Sequence, residues 1–190
     1  MIGTRIKEAI ELKNTILNNQ LILKQIDEVI AIMLKALENG HGIFFCGNGG
    51  SAADAQHLSA ELAGRFYIDR PPLKAEAIHI NSSFLTAVSN DYSFEQAYAR
   101  AVEAQAQKGD VLYFLSTSGN SANIVSACQQ ANEMGITTIA FTGEKDSNLK
   151  QYANVTIQIP SSNTPRIQEA HMLLGHIICE FVEEEIFGKK

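Results

Sequence analysis

The feature that most constrains the fold of this sequence is an alternation of short apolar runs with longer helical segments. Five runs of four or five residues are short enough for buried strands, and helical patterns separate them along the chain. Strands that alternate with helices predict an α/β domain with a mainly parallel, five-stranded sheet. The strands are expected at residues 43–46, 77–80, 111–115, 138–141 and 155–159.

Three further helices are expected outside this alternation. Two precede the first strand, at about 4–19 and 21–37, with Gly40 as a stop, and a long one runs from about Pro165 to Gly188. At 190 residues, the chain fits one domain. We expect a single domain over 1–190, with a helical arm at 1–40 and an α/β core with the C-terminal helix at 41–190. The arm either packs on the chain's own sheet or forms a helix bundle with another copy.

Composition argues against several classes of protein. A net charge of −6 does not suit a nucleic-acid-binding protein, and no apolar run is long enough to span a membrane. The charged N-terminal segment does not resemble a signal peptide. Cys46, Cys128 and Cys179 are odd in number and widely spaced, which predicts reduced, buried thiols in a cytoplasmic protein rather than a disulfide framework or a cysteine zinc site.

A glycine-rich segment, CGNGGS at 46–51, directly follows the first predicted strand and precedes a helix. Glycines allow a sharp turn, and the amides at the start of a helix attract anions. The segment can hold a phosphate or a polar sugar. It lacks the last glycine of the dinucleotide-binding pattern, where Ala52 stands, and a simple tight turn is the alternative.

A hydroxyl-rich segment, STSGNS at 116–121, follows the third predicted strand. Four hydroxyls and the amides of the next helix can bind a phosphate monoester without a lysine or arginine. The alternative is a cluster of helix-capping residues, because serine and asparagine are favoured at that position. One such residue suffices for a cap, so the four hydroxyls favour a ligand.

Polar residues on two helices are candidates for catalysis or metal binding. Asp54, His57 and Glu61 share one helix face at spacings of three and four, so that His57 and Glu61 can bind a metal or Asp54 can orient His57; a solvated polar face is the alternative. The C-terminal helix carries Gln168, Glu169, His171 and His176 in an apolar run, where buried core histidines are the alternative. His41 and His79 are assigned no role.

Four segments together closely resemble the sedoheptulose 7-phosphate (phosphoheptose) isomerases of the sugar-isomerase (SIS) domain superfamily, over about Gly42 to Glu185. This resemblance implies a doubly wound, flavodoxin-like fold and a cytoplasmic homotetramer. It also implies conversion of sedoheptulose 7-phosphate to D-glycero-D-manno-heptose 7-phosphate, the first step toward the ADP-heptose of lipopolysaccharide core. The segments are CGNGGSAADAQHLSAEL, SNDYSF, STSGNS and RIQEAHMLLGH.

The resemblance also implies site residues, matched position by position. The acid/base pair falls on Glu61 and His176, and the ligands of one zinc per subunit fall on His57, Glu61, Gln168 and His176. Pro165 departs from the pattern, because some members carry an acidic residue there. The implied substrate contacts are Asn48, Gly49, Gly50, Ser51, Glu61, Arg65, Asn90, Asp91, Ser116, Thr117, Ser118, Ser121 and Gln168.

The spacing of Gln168 and His176 bears on how such a metal site is assembled. Eight residues of helix rise about 12 Å, whereas donors on one zinc lie about 3–4 Å apart. Either the helix is irregular, or the two residues reach a given metal from different chains. The second alternative gives the hypothesis of an active site at a subunit interface.

The residue types suit the isomerisation of a ketose to an aldose. That reaction needs a base near C1, an acid near the carbonyl oxygen and stabilisation of an oxyanion, which a carboxylate, an imidazole and a divalent metal can supply. Glu61 can be both ligand and base only if its coordination loosens during turnover.

Two rival functions remain. One is a non-catalytic SIS-domain protein that binds a sugar phosphate or a replication-initiation partner. The other is an isomerase or regulator acting on another sugar phosphate, such as an amino-sugar phosphate. The presence of both Glu61 and His176 favours an enzyme.

Overall fold

A computed structural model describes residues 1–188, which form eight helices and five strands. The order of elements confirms the expected α/β fold, with an N-terminal helical arm and a long C-terminal helix. The bounds are α1 Ile2–Leu17, α2 Gln20–Glu38, β1 Ile43–Gly47, α3 Gly50–Ala63, β2 Ala75–Ala77, α4 Ser82–Asp91, α5 Phe94–Gln105, β3 Val111–Leu115, α6 Ala122–Glu133, β4 Thr137–Thr142, α7 Asn148–Tyr152, β5 Val155–Gln158 and α8 Thr164–Phe187.

The five strands form one parallel sheet in the order β2-β1-β3-β4-β5. This is the doubly wound, flavodoxin-like order, in which the direction of winding reverses between β1 and β3. Both of these strands are buried along their whole length, since helices cover both faces of the sheet. The sheet therefore confirms the predicted fold class.

Alternate strand residues face two separate hydrophobic cores. Phe45 and Tyr113 belong to the core beneath α2, α3 and α8, while Cys46 and Phe114 belong to the core beneath α4, α5, α6 and α7. A strand sends successive side chains to opposite faces, so a continuous apolar run serves both layers. The two layers place α3 and α8 on one side of the sheet and α6 on the other.

The predicted position of the second strand, at 77–80, is wrong. β2 occupies Ala75–Ala77, and residues 78–79 form a turn, closed by a bond from the Ile80 amide to the Ala77 carbonyl. The Asn81 side chain then caps α4 by accepting a hydrogen bond from the Phe84 amide. Because this cap begins a helix at once, the apolar run leaves the sheet early and His79 lies in the turn rather than in a strand.

The two helices of the N-terminal arm have different surroundings. α2 packs on the chain's own sheet and buries Ile22, Ile26, Val29, Met33 and Ala36. In α1 only Ile16 is buried, whereas Ile2, Ile6 and Ile10 are 80%, 57% and 52% exposed. The expectation that the arm packs on the chain's own sheet thus holds for α2. The three exposed isoleucines of α1 are uncovered in the single chain.

Two sequence expectations concern membrane-spanning segments and thiol chemistry. Among residues 1–188, no helix has the length and apolar content needed to cross a bilayer. All three cysteines are buried and unpaired, as predicted. Burial raises the pKa of the Cys128 and Cys179 thiols to about 12, so both stay protonated at neutral pH and are poor nucleophiles.

Candidate active site

The glycine-rich and hydroxyl-rich loops leave the sheet side by side. In the β1–β3 ladder, Gly47 pairs with Leu115, so the segments 48–50 and 116–121 begin at the same level. They diverge to α3 on one face and α6 on the other, at the point where the winding of the sheet reverses. Crevices at such switch points are where open α/β sheets bind ligands.

The glycine-rich loop is held by close contacts on two sides. The Tyr98 hydroxyl donates to the Gly47 carbonyl at 3.0 Å from the opposite layer. Gly49 is the N-cap residue of α3, and Ser51 is buried in its first turn. At Gly50, a Cβ atom would come within 2.6 Å of the Gln168 side-chain nitrogen, so only glycine lets that amide lie against the loop.

The side chain of Asn48 bridges the two loops. Its Nδ2 donates to Oδ1 of Asn123 at 2.8 Å, and Nδ2 of Asn123 donates back to Oδ1 of Asn48 at 2.9 Å. Asn123 lies in the first turn of α6 and is only 3% exposed. The sequence analysis predicted Asn48 as a substrate contact but did not anticipate Asn123, two residues after the serine that begins α6.

The hydroxyl-rich loop uses some of its hydroxyls for its own turn. The Ser116 Oγ accepts a hydrogen bond from the Gly119 amide, and the Ser118 Oγ accepts one from the Asn120 amide, each at 3.2 Å. Ser121 is the N-cap residue of α6, but its side chain makes no capping hydrogen bond. Helix capping therefore does not account for the Ser121 hydroxyl, which favours the ligand interpretation at that residue.

The first turn of α7 supports the hydroxyl-rich loop. The Asn148 amide donates to Oδ1 of Asn120 at 2.9 Å, and the Leu149 amide donates to the Gly119 carbonyl at 3.0 Å. These bonds fix the loop before any ligand arrives. A cavity of about 160 Å³ opens beside it, and its lining includes Thr117, Ser118, Lys145, Ser161 and Thr164.

His57, Glu61 and His176 converge on one point between α3 and α8. The His57 Nε2 lies 3.0 Å from Oε1 of Glu61 and 3.0 Å from Nε2 of His176, and one ligand atom from each residue lies within 4.8 Å of the others. Donors bound to one zinc ion are about 3–4 Å apart. Two imidazoles and a carboxylate at this separation therefore fit three positions of a zinc site.

Close approach of the two helices brings His176 to this point. The next residue toward the N-terminus of α8 is Gly175, where a Cβ atom would lie 2.7 Å from the Leu58 side chain of α3. A larger residue would push the helices apart. The sequence placed His57 and Glu61 on one face, but their meeting with His176 depends on this packing.

Asp54 pairs with Gln168 rather than with His57. Nε2 of Gln168 donates to Oδ2 of Asp54 at 2.9 Å, and both side chains line a groove of about 530 Å³ that His176 also lines. Burial raises the pKa of the Asp54 carboxyl, while the Gln168 hydrogen bond and nearby His57 lower it. Of the two roles considered for this helix face, the geometry favours His57 and Glu61 as paired ligands.

The remaining predicted contacts are exposed in the single chain. Asn90 and Asp91 end α4 and are exposed, with Nδ2 of Asn90 donating to Oδ1 of Asp91 at 2.9 Å. Arg65 is exposed in the segment after α3. The single chain therefore leaves these three side chains accessible rather than gathering them around His57.

A buried ion pair that the sequence analysis missed anchors the segment carrying Arg65. Glu183 of α8 accepts hydrogen bonds from the amides of residues 66, 67 and 68 at 2.6–2.8 Å and from Nε of Arg70 at 2.8 Å. Arg70 also donates to the carbonyls of Glu61 and Leu62, at the end of α3. Desolvation raises the pKa of Glu183, but these hydrogen bonds outweigh it and hold the pKa below its usual value. The sequence carried one signal for this pair: Glu183 is acidic and lies seven residues, about two helical turns, after His176.

The other histidines have structural surroundings. His171 is fully buried against Phe141, and burial lowers its pKa to about 4 despite a hydrogen bond to the Thr142 carbonyl. His79 stacks on Tyr98, and burial lowers its pKa too. His41 lies at the turn before β1, as expected, with its Nδ1 3.7 Å from the buried Asp110 carboxylate.

Comparisons with known proteins place this geometry in a family. A SIS domain family model matches residues 6–143. The chain is 46% identical to a phosphoheptose isomerase of Clostridium acetobutylicum over 189 residues, covering 100% of this chain and 96% of that one. Solved phosphoheptose isomerases from Francisella tularensis (34% identity, TM-score 0.92, 96% of each chain) and Neisseria gonorrhoeae (36%, 0.89, 96% of this chain and 97% of that one) share the fold.

Proposed function

The chain belongs to the SIS domain family, and from this membership we propose that it converts sedoheptulose 7-phosphate to D-glycero-D-manno-heptose 7-phosphate. It is an isomerase that acts on a sugar phosphate. The observation that carries the specific proposal is the convergence of His57, Glu61 and His176, together with the two loops that leave the sheet at its switch point. In this proposal, the reaction is the first step of ADP-heptose synthesis for lipopolysaccharide core.

Substrate binding is assigned to the two loops at the switch point. The phosphate end lies against residues 116–121, where hydroxyls and helix amides can receive an anion without a neutralising side chain. The sugar end extends toward residues 48–51, with Asn90, Asp91 and Arg65 at the rim. This arrangement directs C1 and C2 toward Glu61 and His176.

Proton transfer is assigned to one carboxylate and one imidazole. Glu61 removes a proton from C1 and returns it at C2, while His176 gives a proton to the carbonyl oxygen as the enediol forms and then takes one from the C1 hydroxyl as the aldehyde forms. Their placement on two packed helices fixes both groups relative to the substrate. The 3.0 Å contacts of His57 with both residues tie the three side chains into one unit.

The same side chains can hold one zinc ion per subunit. His57, Glu61 and His176 supply nitrogen and oxygen ligands at suitable separations, and Gln168 is assigned as the fourth. When bound, zinc supplies a Lewis acid that stabilises negative charge on a substrate oxygen. Glu61 acts as base only if its carboxylate is less tightly bound to the metal during turnover.

We also propose that the protein is a cytoplasmic homotetramer of single-domain chains, with active sites at subunit interfaces. Residues 164–187 form an uninterrupted α-helix, so an irregular helix does not explain how Gln168 and His176 reach one metal. Gln168 of one chain serving the metal of another removes this difficulty. The exposed isoleucines of α1 and the three unpaired buried thiols support assembly and a reducing compartment respectively.

Incubation of purified protein with sedoheptulose 7-phosphate tests the proposed reaction. We expect formation of the aldose, loss of turnover after treatment with a chelator and recovery when zinc is restored. Glu61→Gln and His176→Ala should each lower kcat by at least about a hundredfold while retaining the parent's circular dichroism spectrum. Glu184→Gln, the same chemical change at an exposed residue two turns further along α8, should keep the parent's rate.

Three results would contradict the proposal. Normal turnover in Glu61→Gln or His176→Ala removes the role given to that residue. Binding of sugar phosphates without turnover by the parent supports the non-catalytic alternative, and turnover of an amino-sugar phosphate in place of the heptulose changes the substrate.

A further inference from the structure

We propose that Asn123 is a positioning residue that holds the glycine-rich loop in place through Asn48 and thereby sets the width of the substrate crevice. The inference rests on the proposed function, because it concerns the binding of that sugar phosphate. Asn123 touches no catalytic side chain, and neither the spacing of the motifs nor the likeness to known proteins assigns it a role. Its effect on the substrate is exerted through its partner.

The pairing between the two amides is reciprocal, and its Asn123 end is buried. Each side chain donates to the other and accepts from it, at 2.8 and 2.9 Å. Asn123 is 3% exposed, so an unpaired amide there would bear an uncompensated desolvation cost. The cost of breaking the bridge favours one fixed orientation of Asn48.

The position of this bridge explains why it bears on binding. The two loops start from adjacent strands at one level and then diverge to opposite layers of the molecule. From the same layer as α6, the Tyr98 hydroxyl of α5 also holds the glycine-rich loop, at the Gly47 carbonyl. The Asn48–Asn123 bridge lies one residue further along and links the loop directly to α6.

Asn48 retains the capacity to contact a ligand while it is bridged. A primary amide has two donor hydrogens and two acceptor lone pairs, and the bridge uses one of each. The remaining hydrogen and lone pair have a fixed direction because Asn123 sets the plane of the amide. Loss of Asn123 therefore affects the substrate contact of Asn48 and the spacing of the loops together.

Steady-state kinetics on Asn123→Ala, Asn48→Ala and the double variant test the inference. We expect Asn123→Ala to raise KM for sedoheptulose 7-phosphate about tenfold, as expected for loss of a buried hydrogen-bonded pair, with a smaller change in kcat. Because Asn123 acts through Asn48, the double variant should be no worse than the more affected single variant. Asn132→Ala, the same change at the far end of α6, should keep the parent's KM.

Calorimetric titration with inorganic phosphate separates failure of this inference from failure of the proposed function. If the parent does not isomerise the heptulose, the proposed reaction is wrong, and phosphate affinity in the parent and Asn123→Ala then decides the inference. An unchanged KM and phosphate affinity in Asn123→Ala, a double variant whose effects multiply, or absence of phosphate binding in a parent without turnover would overturn it. If Asn123→Ala does not fold, Asn123→Ser, which cannot make both bonds, replaces it; if neither folds, Asn123 belongs to the fold rather than the site, which also overturns the proposal.

Discussion

His171 shows how burial alone can give a titratable residue a role in stability. Its ordinary pKa of 6.5 falls to about 4 in the folded chain, so the unfolded chain takes up the proton first as the pH falls. The stabilisation is complete above pH 6.5 and is lost as the pH falls toward 4, and it amounts to about 3 kcal/mol. We expect the free energy of unfolding, measured in urea at a fixed protein concentration, to fall more steeply from pH 7 to 4.5 in the parent than in His171→Gln.

The comparison of the two proteins isolates this residue. His79 also has a lowered pKa, but it is present in both proteins and cancels in their difference. A constant difference in unfolding free energy between the parent and His171→Gln across this range would contradict the prediction.

The sequence predicted the types of residue at the site better than their partners. Helical spacing predicted that His57 lies beside Glu61, and composition predicted that the glycine-rich and hydroxyl-rich loops bind a ligand. The pairing of Asp54 with Gln168, and of Asn48 with Asn123, joins residues 114 and 75 positions apart. No local pattern specifies such contacts, because they depend on how α3, α6 and α8 pack on the sheet.

At the scale of elements, the Glu183–Arg70 pair fastens α8 to the end of α3. Both side chains are almost fully buried, and Glu183 satisfies three backbone amides besides the arginine. Removal of one partner from a buried ion pair costs about 3–5 kcal/mol because the other charge stays uncompensated. We expect Glu183→Gln to lose that much unfolding free energy in urea at a fixed protein concentration.

A neighbouring residue provides the control for this prediction. Glu184 is exposed, and Glu184→Gln should change the unfolding free energy by less than about 0.5 kcal/mol. Equal stabilities for the two variants would show that the buried pair does not fasten the helices.

Strands were easier to predict than the places where they end. Val111–Leu115 matches its apolar run residue for residue, because a central strand is buried on both faces. β2 lies at the edge of the sheet, where a capping asparagine soon after the strand starts α4. Apolar character alone does not distinguish the end of such a strand from the turn that follows.

For the whole molecule, the proposed interface site predicts complementation between two inactive variants. His57→Ala and Gln168→Ala should each be inactive alone, and light scattering should give four times the chain mass of 20.8 kDa for both. In randomly mixed tetramers, about a quarter of the sites combine an intact His57 with an intact Gln168 from another chain. We expect co-expressed, doubly tagged assemblies to recover activity in that proportion, whereas a site built within one chain would recover none.

The two layers of the core carry different parts of the proposed reaction. The side chains proposed to transfer protons come from α3 and α8 on one side of the sheet, while the loop proposed to receive the phosphate leads into α6 on the other. Substitutions in the α6 layer can therefore change how the phosphate is held without moving the groups proposed to transfer protons on the opposite face. Such a scaffold lets selection revise phosphate affinity and reactivity at separate rates while the reactive centre is kept intact.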